Sequence, residues 1–207
     1  MGFSFETSLV SHVSDSRPAL AEPLADPGLP GELRPGLPRD LLLCRALPAD
    51  QPAIERTVRA AFGHELEARL LVRLERERRV TTSVVARSAG QVVGHAMLSR
   101  LELRAPGGGA WPALALAPVA VTPELQRRGV GSALVRRCLG LAGPLLPVFV
   151  IGAPGFYGRF GFEDAAPYAV SSRFEPPAGH FMVRPAAALT PVAVARRLEY
   201  PAAFGGL

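Results

Sequence analysis

Between Leu116 and Ser132 the chain reads Leu-Ala-Pro-Val-Ala-Val-Thr-Pro-Glu-Leu-Gln-Arg-Arg-Gly-Val-Gly-Ser. An apolar strand runs into a tight turn, and the turn opens directly into a helix. The amides at the start of a helix have no intrahelical acceptor, and the aligned peptide dipoles put partial positive charge there. Gly129 and Gly131 keep side chains away from that end, so a phosphate can approach the backbone closely. Arg127 and Arg128 add charge at the rim. The chemistry this segment offers is the binding of a phosphorylated ligand.

Other ligand classes fail on residues. No Gly-x-Gly-x-x-Gly follows a first strand, and all 23 basic residues are arginine, so a Gly-Lys-Ser/Thr phosphate loop is impossible. A hydrolase lacks its Gly-x-Ser-x-Gly elbow, and the four histidines stand in unrelated contexts. The segment Gln126-Arg127-Arg128-Gly129-Val130-Gly131 resembles the acetyl-CoA signature of the GNAT N-acetyltransferases, Gln/Arg-x-x-Gly-x-Gly/Ala. Upstream, Pro118–Pro123 is similar to that family's preceding strand. Downstream, Phe156-Tyr157-Gly158-Arg159-Phe160-Gly161-Phe162 is similar to its closing motif, in which a tyrosine precedes Gly-Phe on a short helix. Phe181-Met182-Val183 and Tyr200-Pro201-Ala202-Ala203-Phe204 resemble one bacterial branch of the family, so the likeness runs from Leu41 to Phe204.

The resemblance implies an α/β chain with the GNAT fold, a mixed central sheet splayed between two strands at the acetyl-CoA site and flanked by helices. It implies an acetyl-CoA-dependent N-acetyltransferase. The amides of Arg127, Arg128, Gly129, Val130, Gly131 and Ser132 would hold the CoA diphosphate, with Gln126 in the same motif. The backbone of Val119, Ala120 and Val121 would pair with the pantetheine arm as an added strand does. No metal is implied. The acceptor is a small-molecule amine or a protein amine, and a homodimer is compatible with the resemblance.

Acetyl transfer to an amine needs a neutral amine held close, a donor for the developing oxyanion, and a proton for the departing thiolate. A backbone N–H in Val119–Val121 can serve the oxyanion if the strand splays there. Tyr157 stands at the family's general-acid position. A phenol of ordinary pKa about 10 can hand a proton to the thiolate of a thiol near 8.5, though slightly uphill and with no driving force of its own. The strand Pro112–Val121, where family members often carry a carboxylate, has none. That gap supports an alternative, an acetyl-CoA-binding sensor or partner-binding module without transfer. Glu102 and His95 on the preceding strand are the remaining candidates for the base, with packing the stronger reading for His95 and a solvent-facing charge the stronger one for Glu102. Trp111, Tyr168 and Phe174 are candidates for the acceptor pocket, and Ser171–His180 is a loop suited to covering it.

These residues need elements to position them. Leu41–Arg45 reads as a first strand. Asp50 offers an N-cap with Pro52 in the first turn, and Ile54, Val58, Ala61 and Phe62 share one helical face up to Gly63. A second helix spans roughly His64–Arg79. Strands follow at Thr81–Arg87, Val92–Leu103 and Pro112–Val121, then a helix at Ser132–Ala142 and a buried strand at Val148–Ile151. Residues 1–40, with Pro18, Pro23, Pro27, Pro30, Pro35 and Pro38, read as a proline-rich disordered arm or an over-extended start, and residues 41–207 as the acetyltransferase domain.

Composition sets the outer limits. Of the 207 residues 48% are hydrophobic and 20% charged, which suits one buried core. No apolar run approaches the ~20 residues a membrane helix needs, and the N-terminus lacks the pattern of a secretory signal. No membrane association is expected. Cys44 and Cys138 show no metal-like spacing, so buried thiols and a reducing cytoplasm are expected. A net charge of +5 favours an anionic ligand. Many arginines sit four residues from a glutamate, as in Glu65–Arg69 and Glu75–Arg79, which reads as solvated helix faces and not as a nucleic-acid surface.

Overall fold

The helices and strands follow the periodicity of their apolar residues. In the computed structural model, which describes residues 36–187, 189–191 and 195–206, β1 (Leu42–Arg45) precedes two helices, α1 (Gln51–Phe62) and α2 (Leu66–Arg76). Three long strands come next: β2 (Val80–Ser88), β3 (Gln91–Arg104) and β4 (Ala110–Val121). After α3 (Val130–Ala142) the chain makes β5 (Val148–Ile151), the short α4 (Pro154–Tyr157), and strands β6 (Glu163–Asp164), β7 (Val170–Ser171), β8 (Phe181–Arg184) and β9 (Arg196–Glu199). The expected boundaries hold to within a few residues. Most of the arm expected over residues 1–40 lies outside the described residues.

The strands form one mixed sheet in the order β1-β2-β3-β4-β5-β8-β6, with β9 against the far end of β3 and β7 beside β9. Strand alternation sends successive side chains to opposite faces, and each face buries against its own helices. Val85, Met97, Ala115 and Phe149 pack with Ile54, Val58, Leu70, Leu71 and Leu74 of α1 and α2. Val84, Ala96, Leu98, Leu114, Leu116 and Val148 pack with Leu134, Val135 and Cys138 of α3. Both cysteines are buried and free, and they sit in the cores on opposite sides of the sheet.

Local chemistry departs from expectation in two places. Asp50 precedes α1 without capping it: its carboxylate accepts from the Leu47 amide at 3.0 Å and pairs with Arg87 of β2. Glu65 pairs with Arg59 at 2.8 Å instead of reaching forward to Arg69. The reason is Gly63, whose φ of 75° ends α1 and turns Glu65 back onto its last turn.

Two irregularities open the sheet. Between the pairs Ala96–Val119 and Leu98–Leu116, β3 has Met97 alone and β4 has Ala117 and Pro118, so β4 bulges there. Pro118 has no N–H to offer the ladder. On its other side β4 pairs with β5 only at Leu114–Val148 and Ala115–Phe149. Beyond that point β5 goes on pairing with β8 through Val150 and Ile151, and β4 keeps β3 alone. A wedge therefore opens between β4 and β5 from Leu116 onward.

Candidate active site

Two cavities flank this wedge. The first, about 660 Å³, is lined by Val119 and Val121 of β4, by Gln126, Arg127, Arg128, Gly129, Gly131 and Ser132, and by Phe156, Tyr157 and Arg159. Three arginines and no carboxylate line it. Arg127 has φ 59° and Gly129 φ 94°, so the turn winds left-handed at both positions before α3 begins. The helix carries no side-chain cap, and its first bond, Ala133 N–H to the Gly129 carbonyl, is 3.0 Å. The Gly129, Val130, Gly131 and Ser132 amides thus have no acceptor within α3, and together with the arginines they make a floor of donors and positive charge that would suit an anion.

The residues singled out in this loop divide by role. Gln126 lines the cavity, but its side-chain amide donates to the Val121 carbonyl at 3.1 Å and so braces the turn. The Val130 side chain is wholly buried beside Gly94 and leaves only its backbone to a ligand. Ala120 is buried in the core opposite His95, so its neighbours Val119 and Val121 face the cleft. Sequence reasoning passed over Arg159. Its Nε donates to the Phe156 carbonyl at 3.2 Å, and its guanidinium lies over the Phe156 ring at 4.9 Å and the Phe160 ring at 5.4 Å. Its position inside the aromatic motif was the available signal.

The second cavity, about 480 Å³, is mostly apolar. Leu101, Ala115–Val119, Phe149–Ile151, Phe174, Tyr200 and Phe204 line it, with Phe62, His64, Leu66, Glu67 and Leu70 from the α1–α2 corner and Tyr157 opposite. Phe174, Tyr200 and Phe204 pack against one another, Phe174 on Tyr200 at 4.8 Å and Tyr200 on Phe204 at 5.1 Å. The expected role of Phe174 in a pocket wall therefore fits its position. Trp111 is exposed on the β3–β4 hairpin, and Tyr168 is buried with its hydroxyl on Glu163; neither lines either cavity.

Tyr157, Val119 and Phe62 line both cavities and form their common wall. The Tyr157 ring meets Phe156 edge-on at 4.9 Å and Phe162 at 5.6 Å, and its other side rests on Gly152. A Cβ at Gly152 would stand 2.3 Å from Tyr157 Cε2, so only glycine allows the ring to lie there. Burial pushes the phenol up to about 12. It stays protonated at all ordinary pH, a hydrogen-bond donor and a weak acid.

Neither candidate base from β3 reaches this wall. The part of β3 beside Val119–Val121 is Gly94–Ala96, and Glu102 lies six residues beyond Ala96, about 20 Å along the strand. There it pairs with Arg104 at 2.7 Å, half exposed, and lines a separate groove with Arg79, Arg100 and Glu199. His95 is fully buried on the α1 side, its Nε2 2.9 Å from Ser83 Oγ, and burial holds its pKa down to about 3. It is a neutral packing residue.

The family model described as an acetyltransferase (GNAT) domain matches residues 45–165. The chain belongs to the GNAT acetyltransferase family. It is therefore an acyltransferase by family. Among curated GNAT relatives, the uncharacterized N-acetyltransferase YjhQ of Escherichia coli K12 is 36% identical over 126 residues, 57% of this chain and 67% of its own. The solved structure of E. coli YhbS, a GNAT family N-acetyltransferase in complex with CoA, superposes with a TM-score of 0.69 at 29% identity, covering 80% of this chain and 92% of that one. A GNAT family acetyltransferase from Brucella melitensis in complex with acetyl-CoA gives 0.62 at 27% identity, covering 79% and 97%. The mixed sheet with flanking helices is the GNAT fold. No helix of the described residues is long and apolar enough to cross a membrane, and no cluster of metal-ligating side chains occurs among them.

Proposed function

We propose that this GNAT member transfers the acetyl group of acetyl-CoA to an amine by direct attack on the thioester. The observation that carries the reading is the wall shared by the two cavities, Val119 and Tyr157, at the point where β4 leaves β5. An acid-free cleft with three arginines and uncapped helix amides fits the diphosphate. The free edge of β4 fits the pantetheine arm, which would bring the thioester to the wall. The two relatives solved with CoA and acetyl-CoA support the same ligand. The acceptor then enters through the second cavity, and a β4 amide near the bulge takes the oxyanion.

Tyr157 acts here as a donor and relay more than as a free acid. A phenol near 12 loses its proton to the thiolate of an ordinary thiol, near 8.5, only uphill. Its hydroxyl instead passes a proton from the attacking nitrogen to the leaving sulfur, giving one and receiving one. Two buried free thiols suit a reducing cytoplasm. Isothermal titration of acetyl-CoA, followed by thiol release over an amine panel, tests the reading. Binding with amine-dependent release is expected. Binding without release from any amine would leave a CoA-binding module in its place.

A further inference from the structure

The second cavity contains four titratable side chains, His64, Glu67, Tyr157 and Tyr200, amid an otherwise apolar lining. His64 follows Gly63, whose left-handed turn separates α1 from α2 and points the imidazole to the cavity mouth. Glu67 stands one helical turn on. Its Oε2 is closed off from solvent and has no hydrogen-bond donor among the described residues. The His64 Nδ1 lies 2.9 Å from that oxygen, at ion-pair distance though not aligned as a hydrogen bond. A desolvated carboxylate oxygen without a donor is costly, and a small turn of the half-exposed imidazole satisfies it with Nδ1–H. Nε2 is then left with its lone pair toward the cavity.

We propose that His64, oriented by Glu67, takes the proton of an acceptor that is a primary amine on an aromatic or branched apolar body. The proposal rests on the acetyl-CoA reading above and supplies the base that β3 and β4 lack. The apolar body is dictated by the lining: Leu66, Leu70, Leu101 and Phe149 offer a polar substrate nothing to bond, and Phe174 and Tyr200 offer ring faces. Protons and electrons balance as follows. The amine enters as an ammonium and gives one proton to His64 Nε2. Its freed lone pair attacks the thioester carbon, forming C–N as the carbonyl π pair moves to oxygen. Collapse breaks C–S, with the pair leaving on sulfur. The second nitrogen proton reaches that sulfur through the Tyr157 hydroxyl. The products are the N-acetyl amine, the CoA thiol and a proton that His64 returns to solvent.

The test uses the full chain with acetyl-CoA and two probe sets, 2-phenylethylamine and tryptamine against ethanolamine and putrescine. The apolar pair is expected to show kcat/KM about ten- to hundred-fold higher, the range that burying one ring supports. His64→Gln is expected to lower kcat about 10²-fold with acetyl-CoA affinity unchanged. KM for the apolar amines should hardly change, so that the loss lies in the chemical step and not in acceptor binding. Glu67→Gln should lower kcat by a smaller factor with KM nearly unchanged, because it loosens only the orientation of the imidazole. Equal or better turnover of the polar amines, or a His64→Gln variant that keeps the parent kcat, overturns the proposal while acetyl-CoA binding stands. Loss of acetyl-CoA binding by the parent chain overturns this and the reading beneath it together. The melting temperature of the His64→Gln variant should match the parent, because His64 is half exposed.

Discussion

At the scale of single residues, Tyr157 and the glycine beneath it carry the sharpest expectations. Tyr157→Phe removes one hydroxyl, and the chemical rate in single turnover should fall about 10²-fold with acetyl-CoA affinity nearly intact. An unchanged chemical rate would make Tyr157 a packing residue. Because burial moves the phenol up from 10 to about 12, the donor form should persist, and the parent's rate should show no loss from this group up to pH 10. The same shift has a sign for stability. The unfolded chain ionises first, so the contribution is complete below pH 10 and disappears as pH rises through 12. Gly152→Ala would push the ring off its seat and should lower kcat by an order of magnitude or more without a comparable fall in melting temperature, which kinetics beside a thermal melt would read. His95 behaves in the opposite sense to Tyr157. Its pKa is depressed from 6.5 to about 3, so the unfolded chain binds the proton first and stability should drop as pH falls from 6.5 toward 3. His95→Leu should flatten that acid limb in a pH series of melts.

At the scale of elements, the two glycines of the loop separate from each other. Gly129 has φ 94°, and any L side chain there is strained whatever the space, by about 1–2 kcal/mol. Gly131 is helical, and an added Cβ meets Phe156 and Val121 at an ordinary 3.6 Å. Gly129→Val should therefore lose both stability and acetyl-CoA affinity, whereas Gly131→Ala should keep both, as calorimetry and titration would show. The loop was legible in the sequence because its glycines and arginines stand together on a strand–turn–helix unit. Element order and the face alternation of β2–β5 were legible for the same local reason. The second cavity was not. Its imidazole and its ring faces come from the α1–α2 corner and from Tyr200–Phe204, segments joined only when β9 docks on β3, and no spacing along the chain encodes that meeting. Phe62, read as a core residue from its helical face, is one such case: it is more than a third exposed and belongs to the cavity wall. Glu102, a candidate base or a solvent-facing charge by sequence, is the charge: it is half exposed and paired with Arg104, and nothing in the spacing tells how far along the strand the cleft lies.

At the scale of the whole molecule, the domain begins before its first strand. The side chain of Leu37 reaches Gly129 (3.4 Å from where a Cβ would stand), and Asp40 accepts from Ser88 Oγ at 2.8 Å and from the Ala89 amide at 2.5 Å. Those bonds hold the Asp40 carboxyl below its usual range. A chain shortened to begin at Gly36 should keep its melting temperature and acetyl-CoA affinity. One begun at Leu41 should lose part of both, since it removes the Asp40 bonds to the β2–β3 turn and the apolar cover behind the phosphate loop. The wall that Val119 and Tyr157 make between the cavities also constrains the order of events in solution. On the proposed reading each substrate has its own cavity, so neither must leave before the other arrives. Neither cavity is lined by a thiol, Cys138 being buried with its pKa pushed up to about 12, and so no cysteine waits at the wall to carry the acetyl group between visits. Steady-state rates measured over a grid of both substrates should therefore give intersecting double-reciprocal lines, the mark of a ternary complex, and not the parallel lines of an acylated enzyme.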